Sequence, residues 1–180
     1  MSEIEIVGDL EIVKPTERAT PMSRAKAMGL VKAEDMQIFM PESVLKEIIF
    51  YSKTRMDVEV GGMLVGNLCS YRGVNWIDIK GYVRALKALQ NPASLRFTHE
   101  ACEAVQREID RRHPGDIIVG WHHTHPGYSV FLSSTDMWTC RSWFNLPWNL
   151  ALVVDPKADT MGFFQWKGDK MLPCGFYFTT

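Results

Sequence analysis

The sequence predicts an α/β domain in which helices flank a mixed sheet. Two observations predict it: short runs of β-branched and aromatic residues end at turn residues, and helical segments with one apolar face lie between them. The chain has 180 residues, 46% of them hydrophobic, and it has neither an internal repeat nor a low-complexity tract. These features indicate a single domain with a substantial core.

Each predicted element follows from a local pattern. Strands are predicted at residues 36–40, 58–67, 74–83, 116–121, 149–154, 160–167 and 171–178. A helix is predicted to begin at Pro41, whose fixed φ suits a first turn, and to bury Val44, Leu45, Ile48 and Ile49. Thr98 is the expected N-cap of a second helix over 98–112, which buries Ala101, Val105 and Ile109. A third helix is predicted over 134–143.

Composition and charge exclude several classes of function. The formal net charge of -1 and a pI near 6.5 argue against a nucleic-acid partner and against a membrane surface. The cysteines have no CxxC spacing, so neither a disulfide framework nor a cysteine zinc site is expected; they are Cys69, Cys102, Cys140 and Cys174. With no signal peptide and no long apolar span, a cytoplasmic location is expected.

The densest cluster of metal-binding side chains is the stretch Trp121-His122-His123-Thr124-His125-Pro126-Gly127. Residues two apart in a strand face the same side, so His123 and His125 present two imidazoles together, whereas His122 faces away and is interpreted as a packed residue. Asp136 follows in the first turn of a predicted helix and is a candidate third ligand. Three protein ligands leave a fourth position for water, which is the arrangement of a catalytic zinc.

Simpler interpretations of these residues remain open at this point. Solvated strands also carry His-x-His, and Ser133 with Asp136 fits a capping box at the start of the helix. Glu59 begins an apolar, glycine-containing run, Glu59-Val60-Gly61-Gly62-Met63-Leu64-Val65-Gly66. A carboxylate at the start of a buried strand needs a charged or hydrogen-bonding partner, and a zinc-bound water would be such a partner. The alternative interpretation is that Glu59 is an ordinary acid at the edge of a core strand.

Together, Glu59, His123-Thr124-His125-Pro126, Ser133 and Asp136 resemble the JAMM metalloprotease motif, also called MPN-plus, at every motif position. The resemblance extends over residues 35–178 and implies the JAMM/MPN fold, which is cytidine-deaminase-like, with helices that flank a curved sheet. It implies that His123, His125 and Asp136 hold one Zn²⁺, that Glu59 is the general acid and base, and that Ser133 donates a hydrogen bond to the oxyanion. At His122 related deubiquitinases often carry tyrosine, which leaves the motif intact.

The implied activity is hydrolysis of the bond after the C-terminal glycine of ubiquitin or a ubiquitin-like protein, either from a conjugate or from a precursor. Compact prokaryotic members occur beside ubiquitin-like conjugation enzymes of antiphage defence or sulfur-carrier pathways, and the chain's end at Thr180 resembles them. A peptidase on phage-tail or cell-wall peptides is the alternative. A non-enzymatic scaffold is disfavoured, because a scaffold needs none of the motif residues. Residues 87–97 are a loop where family members clamp the substrate tail, or else an ordinary connector.

Residues 1–34 precede the resemblance and are predicted to be an extension of a catalytic domain over 35–180. Alternating apolar residues around Gly8-Asp9 predict a hairpin; they are Ile4, Ile6, Leu10 and Ile12. Residues 15–27 are polar and basic and predict a linker. The extension has three open roles: to bind a partner, to add an edge strand, or to form a disordered tail.

Overall fold

A computed structural model describes residues 13–16 and 20–180. Its strands are β1 (Val13–Pro15), β2 (Ala25–Met28), β3 (Gln37–Pro41), β4 (Gly61–Tyr71), β5 (Val74–Arg84), β6 (Leu89–Asn91), β7 (Ser94–Arg96), β8 (Ile117–Thr124), β9 (Leu150–Asp155), β10 (Thr160–Lys167), β11 (Lys170–Cys174) and β12 (Phe176–Thr179). Its α-helices are α1 (Glu42–Thr54), α2 (His99–Arg112) and α3 (Ser134–Trp143), and a 3₁₀ turn covers Met22–Arg24. None of these helices is long and apolar enough to cross a membrane.

Ten strands form one mixed sheet in the order β11-β10-β9-β8-β4-β5-β3-β12-β2, and β1 pairs with β4. The pairs β8·β9, β3·β5, β3·β12 and β1·β4 are parallel, and the other neighbours are antiparallel. The consecutive strands β11 and β12 lie near opposite ends of this order, so the sheet must curl to bring its two edges together. The predicted fold class, a curved mixed sheet with flanking helices, is confirmed.

The prediction of one strand over 171–178 is wrong, because the chain changes edges at Gly175. The backbone N–H of Gly175 donates to the carbonyl of Leu30 at 2.9 Å, and a Cβ on this glycine would lie 2.6 Å from the backbone nitrogen of Val31. Only glycine allows this close approach. The segment is therefore two strands, β11 and β12, that pair with different neighbours.

The helices cover both faces of the sheet, and each face has its own apolar cluster. On one face α1 contributes Val44, Leu45 and Ile48. On the other face α2 contributes Ala101, Val105 and Ile109, and α3 contributes Cys140. Complete burial of a side chain such as Ile48, which is 0% exposed, stabilises the fold by about 1.5–3 kcal/mol. The strands that carry His123 and the Glu59 segment are therefore packed by helices on both faces.

The predicted linker over 15–27 is wrong at its C-terminal end, because β2 pairs antiparallel with β12. The other described part of the extension, β1, pairs in parallel with Leu68–Ser70 of β4, and Lys14 Nζ donates to the carbonyl of Gly115 at 2.7 Å. The described part of the extension thus adds strands to the domain sheet. The predicted hairpin over 4–12 lies outside the described residues, and the division at residue 35 stays a prediction.

Candidate metal centre

The two facing histidines are positioned by the end of β8. This strand is longer than predicted and pairs His123 with Gly61 of β4 on one side and with Val153 of β9 on the other. His125 lies one residue beyond the strand, but its backbone N–H still donates to the carbonyl of Val154 at 2.8 Å. The ladder therefore continues far enough to hold both imidazoles on the same face of the sheet.

The ligand groups of three residues form a compact triangle at this point. His123 Nε2 and His125 Nε2 are 3.1 Å apart, and they lie 3.2 Å and 3.3 Å from the Oδ1 and Oδ2 atoms of Asp136. An ion with tetrahedral ligands at about 2.0 Å has ligand atoms about 3.3 Å apart. The triangle matches one face of such a tetrahedron, and all three residues are buried. The donor set thus fits a single zinc ion with an open fourth position.

Each histidine ring is oriented by a different contact. The ring of His123 stacks on Trp121 with centroids 4.2 Å apart and planes at 11°. His125 Nδ1 lies 3.2 Å from the carbonyl oxygen of Ser129. Because a carbonyl only accepts hydrogen bonds, Nδ1 carries the proton, and the lone pair of His125 is left on Nε2, which faces the triangle.

Asp136 is held by the capping box that the sequence suggested. Its Oδ2 accepts from the backbone N–H of Ser133 at 2.7 Å, and its own N–H donates to Ser133 Oγ at 3.1 Å. Burial raises the pKa of Asp136, but His123, His125 and Ser133 outweigh burial and hold this pKa below its ordinary value. The carboxylate is therefore ionised, as a metal ligand must be. The capping and metal interpretations of Asp136 are compatible.

Glu59 lies beside the triangle although it is 64 residues before His123. Its Oε1 is 3.8 Å from His125 Nε2, and the residue is only 3% exposed. Val60 fixes the backbone here, since its N–H donates to Thr124 Oγ1 and its carbonyl accepts from Thr124 N, both at 2.9 Å. Burial raises the pKa of Glu59 to about 7, against the lowering effect of His125. Such a carboxyl can both take and give a proton near neutral pH.

His122 is confirmed as a packed residue on the opposite face. Its Nε2 is 3.1 Å from Ser52 Oγ, and its Nδ1 is 2.9 Å from the hydroxyl of Tyr82. Ser52 donates its own proton to the carbonyl of Ile48 at 2.8 Å, so it accepts from Nε2–H, and Tyr82 donates to Nδ1. Burial lowers the pKa of His122 to about 3, which keeps this ring neutral.

Sequence reasoning placed a turn at Asp155-Pro156 but gave no role to Asp155, which accepts hydrogen bonds from the loop after the histidines. Its Oδ1 accepts from the backbone N–H groups of Gly127, Lys157 and Ala158, and its Oδ2 accepts from Ser129, at 2.9–3.2 Å. Burial raises the pKa of Asp155, but these four donors outweigh burial and lower it. An acid at the end of a buried apolar strand, followed by Pro156, was the available signal.

A cleft lies between residues 94–97 and α3. Residues 87–97 are a hairpin of β6 and β7, anchored where the backbone N–H of Glu59 donates to the carbonyl of Asn91 at 2.8 Å. The cleft has a volume of about 530 Å³ and is lined by Ser94, Arg96, Phe97, Ser134, Thr135, Trp138, Thr139 and Trp143. Ser134 and Thr135 directly follow Ser133, so the cleft lies beside the N-terminal end of α3, the helix that carries Asp136.

Comparisons with known proteins agree with this geometry. The family described as JAB1/Mov34/MPN/PAD-1 ubiquitin protease matches residues 35–144. Similar curated proteins include the NAD(+) hydrolase TcpA of a Theionarchaea archaeon, 27% identical over 131 residues, and the 26S proteasome regulatory subunit RPN11 of Eremothecium gossypii, 28% identical over 127 residues. These alignments cover 67% and 69% of this chain but only 37% and 40% of those proteins. The chain thus spans about two fifths of the length of these relatives.

One solved structure resembles most of the fold. The solution structure of protein DSY2949 from Desulfitobacterium hafniense aligns with a TM-score of 0.56 at 20% identity. The alignment covers 76% of this chain and 89% of that chain. At this identity the likeness supports the fold alone.

Proposed function

Because the chain belongs to the JAB1/Mov34/MPN/PAD-1 family of ubiquitin proteases, we propose that it is a zinc-dependent peptidase. Its proposed reaction is hydrolysis of the peptide or isopeptide bond after the C-terminal glycine of ubiquitin or a ubiquitin-like protein. One observation carries the proposal: the ligand groups of three buried residues lie 3.1–3.3 Å apart, as tetrahedral zinc ligands do, and the buried carboxyl of Glu59 lies 3.8 Å from one of them.

His123, His125 and Asp136 would hold the zinc ion. When bound, zinc makes water more acidic and polarises a carbonyl group, which is the chemistry that amide hydrolysis requires. Glu59 takes one proton from the water that attacks the scissile carbonyl carbon. As the carbon–nitrogen bond breaks, Glu59 gives that proton to the departing amine; the second proton of the water stays on the new carboxyl group, which then loses it to solvent, so the products are a carboxylate and an amine. Glu59 suits both transfers by its position, since its Oε1 lies 3.8 Å from His125 Nε2.

Ser133 is the proposed hydrogen-bond donor to the oxyanion. Its Oγ accepts the capping bond from Asp136 N, but the hydroxyl hydrogen remains on a rotatable bond. Ser133 is not a nucleophile in this scheme, because no histidine is available as its base. His123 and His125 face the metal position, and His122 is committed to Ser52 and Tyr82.

The substrate tail is proposed to run through the cleft between the hairpin and α3. An extended Gly-Gly tail would add as a strand beside β6 and β7, where main-chain hydrogen bonds give affinity and the missing side chains allow a narrow passage. The exposed indoles of Trp138 and Trp143, which are 61% and 54% exposed, offer apolar contacts to residues that precede the glycines.

The test is a cleavage assay on a panel of substrates. Purified protein is incubated with ubiquitin-like fusions and isopeptide conjugates that end in Gly-Gly, with and without chelator, beside the Glu59→Gln variant. We expect cleavage after the terminal glycine by the zinc-loaded wild type only, with variant turnover reduced at least 100-fold and its zinc retained. Equal cleavage by wild type and variant would overturn the assignment of Glu59.

Three further substrates in the panel distinguish the proposed activity from other activities. Phage-tail and cell-wall peptides test a peptidase with a different substrate. NAD⁺ is included because one similar protein is an NAD(+) hydrolase, although the chain covers only 37% of it. If no Gly-Gly substrate is cleaved but one of these is, the proposed substrate class is wrong; if the zinc-loaded protein cleaves none, the proposal of a peptidase fails.

A further inference from the structure

The two carboxylate oxygens of Asp155 accept unequal numbers of hydrogen bonds from two segments of the chain. Oδ1 accepts from three backbone N–H groups, those of Gly127 at 2.9 Å, Lys157 at 3.0 Å and Ala158 at 3.2 Å. Oδ2 accepts from one, that of Ser129 at 2.9 Å. Asp155 is 1% exposed, so no bulk water replaces these acceptors. The residue fixes the end of β9 and the loop after His125 with respect to each other.

Ser129 connects Asp155 to the metal centre through two backbone hydrogen bonds, one to Asp155 and one to His125. It has a φ of +69°, a conformation that residues other than glycine rarely adopt and that costs free energy unless its surroundings enforce it. Its N–H is held by Asp155, and its carbonyl lies 3.2 Å from His125 Nδ1. The orientation of that carbonyl therefore depends on the bond to Asp155.

His125 depends on this carbonyl more than His123 depends on any hydrogen bond. Within the described residues, Nδ1 of His123 has no hydrogen-bond partner, and the ring of His123 is oriented by stacking on Trp121. The ring of His125 meets the ring of His123 edge-on and the ring of the tilted, half-exposed Phe131, both with centroids 4.8 Å away, and stacks on neither. Loss of the Ser129 carbonyl would free this ring to rotate and to move its proton to Nε2.

We propose that Asp155 is a positioning residue for the metal: through Ser129 it fixes the tautomer and the orientation of His125, and so sets the affinity of the site for zinc. The inference rests on the proposed metal centre but not on the peptidase activity. Hydrogen-bond partners of ligating histidines typically change metal affinity by 10–100-fold when they are removed.

Asp155→Asn tests this link selectively. An amide at this position keeps three bonds if its oxygen takes the place of Oδ1, and its NH₂ group then faces the N–H of Ser129. Two donors repel each other, so the Ser129 contact is the one that is lost. Ser129→Pro is the second variant, because it removes the same N–H and excludes a positive φ in an exposed loop, without touching the core.

The matched control is Asn149→Ala. Asn149 precedes the opposite end of β9, is 3% exposed, and closes a loop by accepting from Leu146 N at 3.0 Å. Among the described residues, no hydrogen bond or ion pair joins it to the metal centre. Its loss should lower the melting temperature without changing the zinc affinity.

The measurements are the zinc affinity of metal-free protein, by competition with a chromophoric chelator, and the ¹⁵N chemical shifts of the His125 ring. We expect Asp155→Asn and Ser129→Pro to bind zinc 10–100-fold more weakly and to lose the Nδ1–H tautomer, while the control keeps both. Wild-type affinity and tautomer in a folded variant would overturn the inference. If Asp155→Asn does not fold, Ser129→Pro decides. Absence of zinc binding in the wild type would instead refute the proposed metal centre.

Discussion

Glu59→Gln should stabilise the metal-free protein at alkaline pH, even though it should abolish catalysis. Burial raises the pKa of Glu59 from 4.5 to about 7. A carboxyl whose pKa is higher in the folded state than in the unfolded state loses stability as pH rises through the window between those two values. The wild type therefore carries a penalty above about pH 7 that glutamine, which does not ionise, lacks.

The size of this penalty follows from the shift. The difference of about 2.5 pKa units between 4.5 and about 7 corresponds to roughly 3 kcal/mol when the carboxylate is fully ionised. Solvent screening is weak because Glu59 is 3% exposed, but local rearrangement will reduce the value. We expect the variant to exceed the wild type by about 1–3 kcal/mol at pH 8.5 and by much less at pH 5.

The assay is urea unfolding of chelator-treated wild type and Glu59→Gln at several pH values between 5 and 8.5. Glu42→Gln is the control for the loss of one negative charge, because Glu42 pairs with Lys46 on the exposed surface of α1. Zinc should shrink the difference, since a nearby cation favours the ionised carboxylate. If the difference in stability between the two proteins does not change with pH, then burial does not raise the pKa of Glu59 and the explanation is refuted.

Three other outcomes are expected from the site and the cleft. Ser133→Ala should lower kcat about 100–1,000-fold. The control Thr98→Ala, which removes the equivalent cap of α2, should cost about 1 kcal/mol of stability and leave kcat unchanged. Equal losses of kcat in the two variants would contradict the oxyanion role of Ser133. Trp138→Ala should raise KM several-fold relative to Phe50→Ala, an exposed aromatic on α1, and an unchanged KM would remove Trp138 from the tail path. A bulkier residue in place of the substrate's penultimate glycine should abolish cleavage, and undiminished turnover would argue against a narrow channel.

Elements with strong local signals were predictable from sequence. The helix with Thr98 as N-cap was predicted over 98–112, and the Thr98 hydroxyl accepts from Ala101 N as a capping residue should. The helix over 134–143 and the strand over 160–167 also match their predicted bounds. Caps, turn residues and periodic burial act over a few residues, so the sequence alone carries that information.

Elements defined by distant partners were not predictable. Residues 25–28 form a strand only because β12 lies beside them, and three of their four side chains are exposed, so no alternation of burial marks them. The break at Gly175 depends on the close approach of Leu30 and Val31, which no local pattern shows. In both cases the determining contact lies far away in sequence.

The site was predictable to the extent that its ligands lie close together in sequence. The strand period predicts that His123 and His125 lie on the same face of the sheet, and the position of Asp136 in the first turn of a helix predicts that it lies near them. The approach of Glu59 to His125 at 3.8 Å follows from the pairing of β4 with β8; a zinc-bound water was one of two partners open to this acid beforehand, and the family motif favoured it. The roles of these residues in catalysis stay predictions until they are measured.

The most direct test of a catalytic zinc centre is a calorimetric zinc titration of the metal-free protein. The triangle of His123, His125 and Asp136 predicts one ion per chain, bound by the wild type and by Glu59→Gln but at least 100-fold more weakly by Asp136→Ala. Absence of saturable binding in the wild type, or binding by Asp136→Ala as tight as wild type, would contradict the assignment.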